Sequence, residues 1–175
     1  LPQVSQGSHP EPVNESVLSH LLHGRKTMPD NLGYFLETTY RLHPSIAAPV
    51  SRLQYEDRLH SDARCAKRSL DGVTPGLHIV HVDHIGNTVK SDEEGDELLA
   101  RVPQLLGRAW VDTDSKGNPV APRPLAESDI LVVTGYNAQV RYLKSRLAQA
   151  GYRGIRVGTV DKFQGQEAPV VFVSM

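Results

Sequence analysis

"DILVVTGY", residues 129–136, is the stretch that decides the fold class. Its nearly continuous apolar run is typical of a strand that is covered on both faces in a parallel sheet. A helix is predicted to follow, with Asn137 able to cap its beginning and Gly151 marking its end. The apolar stripe of that helix is formed by Val140, Leu143, Leu147 and Ala150. A buried strand followed at once by an amphipathic helix indicates an α/β fold.

The same alternation extends along the rest of the chain. The other predicted strands are at 34–40, 77–84, 156–162 and 169–175, and helices are predicted near 16–23, from Pro44 and from Asp92. Residues 111–127, rich in Asp, Gly, Asn and Pro, predict a loop or β-turn excursion on the surface. This order favours an α/β sheet, mostly parallel, with right-handed crossovers. Because the last predicted strand ends at the last residue, we expect a fold that is truncated at its C-terminus.

The composition disfavours several classes of protein. The 175 residues carry a formal net charge of -1, so any site for an anion must be local. Cys65 is the single cysteine and the sequence shows neither a secretory leader nor a long apolar run, so we expect a cytoplasmic protein without an internal disulfide. In "HIVHVDH", residues 78–84, the strand period places the histidines on opposite faces, so we predict no metal site.

Three groups of polar residues follow predicted strands. They are Tyr40, Arg41 and His43, then Tyr136, Asn137 and Gln139, and finally "DKFQGQE" at 161–167. Because ligands in open α/β sheets bind beyond the carboxyl ends of the strands, we expect these groups to meet at one sheet edge. The sequence contains no G-x-x-x-x-G-K-[ST] phosphate loop and no G-x-G-x-x-G motif.

The residue types in these groups suit a phosphate-bearing ligand. Arg41 offers a planar fork for phosphate, and Tyr40 offers a face on which a base can stack. Gly165 lets backbone N–H groups approach an anion, Glu167 can accept from a sugar hydroxyl, and Asn137 begins a helix whose first N–H groups can bind phosphate. Each also has a structural interpretation, as a salt bridge, a turn or a cap. Nucleotide and nucleic acid are both compatible with these residues.

Several stretches resemble the second RecA-like domain of superfamily 1 helicases of the Upf-like branch (1B). "TTYRLHPSIAAPVSRLQYEDRL" (38–59) is similar to the family's Y-R-M-H-P-x-I segment, with Leu42 where methionine is common. "VGTVDKFQGQEAPVVFVSM" (157–175) resembles T-V-D-x-F-Q-G-x-E and the strand after it, and "VVTGYNAQVRYL" (132–143) resembles T-P-Y-x-x-Q-x-x-x-L, with Gly135 in place of proline. "LPQV" (1–4) is similar to the end of a Q-L-P-P motif. The resemblance implies a RecA-like P-loop NTPase fold.

The resemblance also implies roles at the matching positions. Arg41 would be a catalytic arginine finger, Tyr40 would pack on adenine, Gln164 and Gly165 would lie near the phosphates, and Glu167 would hold the ribose. The residues implied to contact or couple to single-stranded DNA or RNA are Tyr136, Asn137, Gln139, Thr159 and Asp161. ATP and Mg²⁺ would act in the complete protein, because the family's phosphate loop and magnesium ligands lie in the first RecA-like domain. We therefore expect this chain alone not to hydrolyse ATP.

The sequence leads to one preferred function and two alternatives. The preferred function is the C-terminal motor domain of an ATP-dependent helicase, with residues 1–33 as a lead-in from the preceding domain and 34–175 as an incomplete second RecA-like domain. Its partners would be single-stranded nucleic acid and the first RecA-like domain of the same polypeptide. One alternative is a non-hydrolysing RecA-like module that binds nucleic acid or protein. A small-molecule α/β enzyme is disfavoured, because the sequence shows neither a nucleophile motif nor a cofactor fingerprint.

Overall fold

The computed structural model describes residues 16–175 and separates the chain into two compact units, divided between Ala66 and Lys67. The "LPQV" stretch and nearly half of the predicted lead-in lie outside the described residues. The two units are described separately below.

The first unit contains two helices and a small parallel sheet. Helix α1 spans Val17–Leu22 and helix α2 spans Pro44–Gln54, as the sequence predicted. Strand β1 spans only Thr38–Thr39, much less than the predicted 34–40, and it pairs in parallel with β2, His60–Ser61. Because β1 pairs with this nearby segment in its own two-stranded sheet, the prediction that the three polar groups share one sheet edge is wrong.

The second unit is built on a three-stranded parallel sheet. Its central strand β6, Ile130–Thr134, lies between β7, Arg156–Thr159, and β8, Val170–Ser174. The other elements of the unit, in chain order, are β3 (Ser69–Leu70), α3 (Asp92–Leu105), β4 (Ala109–Val111), β5 (Arg123–Pro124) and α4 (Asn137–Gln149). Two predictions are thereby confirmed: the α/β class and a buried strand within "DILVVTGY" that belongs to a parallel sheet.

The apolar run of β6 is buried because the strand has a neighbour on each side and helices packed on the sheet. Ile130 and Val132 are fully buried, and they join Leu143 and Leu147 of α4 in one core. Burying an aliphatic side chain of this size contributes about 1.5–3 kcal/mol. Helix α4 begins with Asn137 as its first helical residue, and Tyr136 occupies the cap position without a side-chain cap. The expectation that Asn137 caps the helix is therefore wrong by one residue.

Ion pairing fixes the chain where it enters β6. Both guanidinium Nη atoms of Arg123 donate to the carboxylate of Asp129, at 2.5 and 2.7 Å, and the backbone N–H of Ala126 also donates to it. The hydrogen bonds from Arg123 hold the pKa of the Asp129 carboxyl below its usual range, against the opposing effect of burial. The buried Asp129 is therefore ionised when the fold forms at neutral pH.

Residues 111–127 largely form the predicted surface excursion, with a turn from Asp114 to Gly117 enclosed by a bridge between Thr113 and Pro119. Strand β4 reaches Val111, and it pairs in an antiparallel sheet with β3 on one side and β5 on the other. Trp110 of β4 is 8% exposed and belongs to the core of the unit. The sequence did not predict β4, because the partner of Trp110 is Leu70, 40 residues away, and a pairing at that distance leaves no local signal.

Residues 77–84 form no strand, which contradicts the prediction. Leu77 and Ile79 remain 75% and 74% exposed, and the segment has no regular secondary structure. The alternating pattern specifies two faces, but a strand also needs a neighbour to pair its N–H and C=O groups. Among the described residues no neighbour forms a ladder with this segment.

Candidate functional site

The bend that carries Arg41 is held on both sides in the first unit. The backbone N–H of Arg41 donates to Oγ1 of Thr39 at 3.3 Å, and the hydroxyl of Ser61 donates to the carbonyl of Leu42 at 2.6 Å. Arg41 itself is exposed. Because hydrogen bonds hold both ends of this bend, its backbone has little freedom to move. An arginine on such a bend is restricted in direction, which suits recognition of a phosphate.

His43 has a structural role next to this bend. It is the N-cap of α2, and its Nδ1 accepts from the backbone N–H of Ser45 at 3.2 Å. Pro44 follows in the first turn, where its missing N–H leaves nothing unsatisfied. The polar row at this helix start therefore combines a cap with two side chains, Tyr40 and Arg41, that are exposed.

Tyr40 is 53% exposed, and a cation lies over its ring. The guanidinium carbon of Arg64 is 4.8 Å from the ring centroid. Arg64 is itself oriented by Asp62, whose Oδ1 accepts from its Nε at 2.8 Å. Hydrogen bonds from the backbone and the side chain of Arg64 lower the pKa of the Asp62 carboxyl. The ring is thus fixed from one side, a suitable arrangement for a stacking surface.

In the second unit, polar side chains line the carboxyl ends of the three parallel strands. Thr134 of β6 is in register with Thr159 of β7 and with Ser174 of β8. Tyr136, 51% exposed, and the exposed Asn137 follow β6 directly. The structure therefore brings together three of the predicted strand-binding residues, Thr159, Tyr136 and Asn137, at the edge where α/β folds bind ligands.

Gln139 is buried just beneath that edge. Its Oε1 accepts from the backbone N–H of Ser91 at 2.9 Å, and its Nε2 donates to the carbonyl of Ser91 at 3.1 Å and to the hydroxyl of Ser174 at 3.0 Å. The Ser174 hydroxyl donates in turn to Glu94. Gln139 is only 3% exposed, so its amide joins α4 to the beginning of α3 and the end of β8. Its predicted contact with a nucleic-acid strand stays a prediction.

Two cavities in the described part of the chain lie near predicted site residues. A cavity of about 60 Å³ beside Gln139 is far smaller than the roughly 300–1,000 Å³ of typical ligand pockets. A groove of about 420 Å³ in the first unit is lined by residues between Pro44 and Ser61, and neither Tyr40 nor Arg41 lines it. Tyr136 and Gln139 therefore line only a small cavity, and Tyr40 and Arg41 line neither of the two.

The segment between β7 and β8, residues 160–169, runs back along the sheet and forms a return segment. It begins with a short 3-10 helix, Asp161–Phe163, which places the exposed Asp161 soon after the end of β7. Gln166 then contacts the guanidinium of Arg156, the first residue of β7. The end of this segment therefore lies near the beginning of β7, so the expectation that all of 161–167 sits at the carboxyl edge is wrong.

Phe163 anchors this segment to the sheet. Its ring is buried beside Gly158 of β7, and a Cβ at Gly158 would come within 3.0 Å of that ring. Gln164, Gly165 and Glu167 remain exposed. Gly165 has φ +78°, and no heavy atom lies within 4 Å of the place a Cβ would occupy. Its backbone is therefore open to an approaching ligand.

Sequence reasoning missed the residues that hold these exposed groups in place. They are Ser61 for the Arg41 bend, Gly158 and Phe163 for the return segment, and Arg156 with Gln166 for its end. A buried aromatic between polar residues is a signal that the sequence did contain for Phe163. The hydrogen bonds from Ser61 to Leu42 and from Arg156 to Gln166 join residues 10 or more positions apart and left no local pattern.

The described part of the chain contains neither a metal-binding cluster nor a membrane-spanning helix. No group of three or more His, Cys, Asp or Glu side chains in residues 16–175 could hold a metal ion. Among the same residues, no helix is long and apolar enough to cross a membrane.

Comparison with known proteins identifies a family and several relatives. A family model described as an AAA domain matches residues 13–175. DNA polymerase alpha-associated DNA helicase A of Schizosaccharomyces pombe is 27% identical over 86% of this chain. An uncharacterized ATP-dependent helicase of Caenorhabditis elegans is 28% identical over 79%, and a Regulator of nonsense transcripts 1 homolog of Neurospora crassa is 27% identical over 79%. The chain spans 24%, 9% and 13% of the lengths of these three relatives.

Proposed function

Because the chain belongs to the AAA domain family, we propose that it forms the second RecA-like motor domain of a longer ATP-dependent helicase of the Upf-like branch. Its mixed α/β architecture with a parallel sheet is consistent with a RecA-like P-loop fold. The names of the relatives, which include a DNA helicase and ATP-dependent helicases, support this proposal. The domain would extend from about residue 34, with the residues before it leading in from a first RecA-like domain.

The observation that carries the proposal is the placement of the exposed residue Arg41 on a bend that is held by hydrogen bonds at both ends. In the proposed mechanism Arg41 enters the cleft between the two motor domains and stabilises the charge that develops on the transferred phosphoryl group. Tyr40 packs on the adenine, and its ring orientation is fixed by Arg64. ATP, when bound with Mg²⁺, would favour closure of the two domains, and its hydrolysis would allow their release.

The return segment of the second unit carries exposed groups that suit a nucleotide. The open backbone at Gly165 can approach a phosphate closely, because no side chain stands in the way. The exposed Gln164 and Glu167 flank it, and the Glu167 carboxylate can accept from a ribose hydroxyl. Magnesium ligands would come from the first RecA-like domain, so this chain alone should not hydrolyse ATP.

Single-stranded nucleic acid would bind at the carboxyl ends of the parallel strands. Tyr136 offers a half-exposed ring on which a base can stack, a contact worth about 1–3 kcal/mol per base. Asn137 begins α4, whose first N–H groups face an incoming phosphate. Thr159 and Asp161 belong to the neighbouring β7 and the turn that follows it, so they would extend the same surface.

The test is ATP turnover by the complete protein, with and without single-stranded DNA or RNA. Arg41→Ala should lower strand-stimulated turnover by about a hundredfold or more while ATP still binds. Arg52→Ala removes an exposed arginine from α2 and is the matched control, which should leave turnover nearly unchanged. Absence of turnover by the wild type on either strand would refute the motor function and favour the non-hydrolysing binding module.

A further inference from the structure

Gln166 lies between Gly165 and Glu167, two exposed residues that we propose contact nucleotide. Both the oxygen and the nitrogen of its side-chain amide are hydrogen-bonded. Its Nε2 donates to the carbonyl of Lys162 at 3.1 Å, and its Oε1 accepts from Nη1 of Arg156 at 2.8 Å. Its backbone N–H donates to the carbonyl of Phe163 at 3.0 Å. Gln166 therefore ties the end of the return segment to its beginning and to β7.

Arg156 is well placed to hold this amide. It is the first residue of β7 and is in parallel register with Leu131 of the central strand. Its Nη2 donates to the carbonyl of Ser128, just before β6, at 3.2 Å. A planar guanidinium that donates in two directions from a sheet residue has few alternative orientations. Arg156 thus links the entrance of β6 to the return segment.

We propose that Arg156 is a positioning residue for nucleotide binding, acting through Gln166 on Gly165 and Glu167. This inference rests on the proposed function. Gly165 has φ +78°, and apart from its chain neighbours no heavy atom lies within 4 Å of the place a Cβ would occupy, so this glycine does not restrict the segment by itself. The hydrogen-bonded Gln166 adjoins both residues, so it limits where the Gly165 backbone and the Glu167 carboxylate can lie. Arg156 carries this restraint from the sheet.

The experiment measures ATP turnover by the complete protein at saturating single-stranded DNA or RNA. Arg156→Met should raise the KM for ATP about tenfold, the size expected of one lost charge-assisted hydrogen bond, with kcat and strand affinity nearly unchanged. Arg153→Met, which removes an exposed arginine three residues earlier, is the matched control and should leave the KM unchanged. Arg156→Lys should restore only part of the affinity, because a lysine cannot serve both acceptors in one plane.

A double-mutant cycle tests whether Arg156 acts through Gln166. The KM of Arg156→Met combined with Gln166→Leu should equal that of Arg156→Met alone, whereas additive effects would overturn the inference. A lower melting temperature with an unchanged KM in both Arg156 variants would also overturn it. If Glu167→Gln raises the KM but Arg156→Met does not, the inference fails while the proposed function stands. Absence of turnover by the wild type removes both.

Discussion

Replacing Gln139 by Met should destabilise the second unit strongly. Methionine keeps the length of the side chain but removes three hydrogen bonds, two with the backbone of Ser91 and one with Ser174. Ser91 is 6% exposed, so water cannot easily replace the lost amide. A buried polar group without a partner costs about 1–3 kcal/mol, and both the N–H and the C=O of Ser91 are affected. We expect a loss of about 2–4 kcal/mol in the free energy of unfolding.

The assay is urea unfolding of this chain followed by fluorescence. Trp110 is the single tryptophan, and it lies in the same core as α4, so its emission reports the unit that contains Gln139. A loss of that size corresponds to a decrease of roughly 5–15 °C in melting temperature for a chain of this length. Gln149→Met, at an exposed position on α4, is the control and should change the stability by less than about 0.5 kcal/mol.

The result that would refute this reasoning is a Gln139→Met variant as stable as the wild type. If such a variant also bound single-stranded nucleic acid more weakly, Gln139 would be a direct strand contact, as the resemblance implied. A destabilised variant that binds the strand normally when folded would instead establish the internal role of the amide.

Two further predictions concern β7 and the entrance of β6. Gly158→Ala should cost about 1–3 kcal/mol of stability, because its Cβ would press on the buried ring of Phe163, whereas Gly135→Ala, with open space around it, should cost little; equal losses in urea unfolding would contradict this. Asp129→Asn should destabilise the chain at pH 7, and the difference from wild type should shrink below about pH 4. The reason is that hydrogen bonds from Arg123 lower the folded-state pKa of Asp129, so its contribution is present above the unfolded pKa and lost as the pH falls; a pH-independent difference would contradict it.

The elements that the sequence predicted well are those specified by neighbouring residues. The apolar run of β6 and the periodic apolar stripe of α4 show from local sequence alone which residues are buried, so no information about distant residues was needed. Pro44 likewise marked the first turn of α2 correctly, because proline at that position is favoured for local steric reasons.

The elements that were missed depend on a distant partner. The pairing of Leu70 with Trp110 joins β3 to β4 in the antiparallel sheet. The sequence around either residue does not indicate that the other is its partner. The opposite error occurred at 77–84, where a strong strand pattern has no hydrogen-bonded neighbour among the described residues. The length of the strand predicted at 34–40 was overestimated for the same reason, since only Thr38 and Thr39 pair with residues of β2 in the ladder. A strand is a property of two segments, and a sequence pattern describes one.

The candidate site shows the same limit at the level of single side chains. In "YNAQV" and "FQGQE" the polar residues look equivalent, but the amides of Gln139 and Gln166 are hydrogen-bonded within the protein. Their neighbours Tyr136 and Glu167 are exposed. A polar side chain can form its hydrogen bonds within the protein or with a ligand. Which of the two it does depends on the groups that surround it in the folded structure. A polar motif is therefore best divided into residues that contact the ligand and residues that hold those contacting residues in position. Substituting a positioning residue should change ligand affinity or protein stability more than the rate of the chemical step.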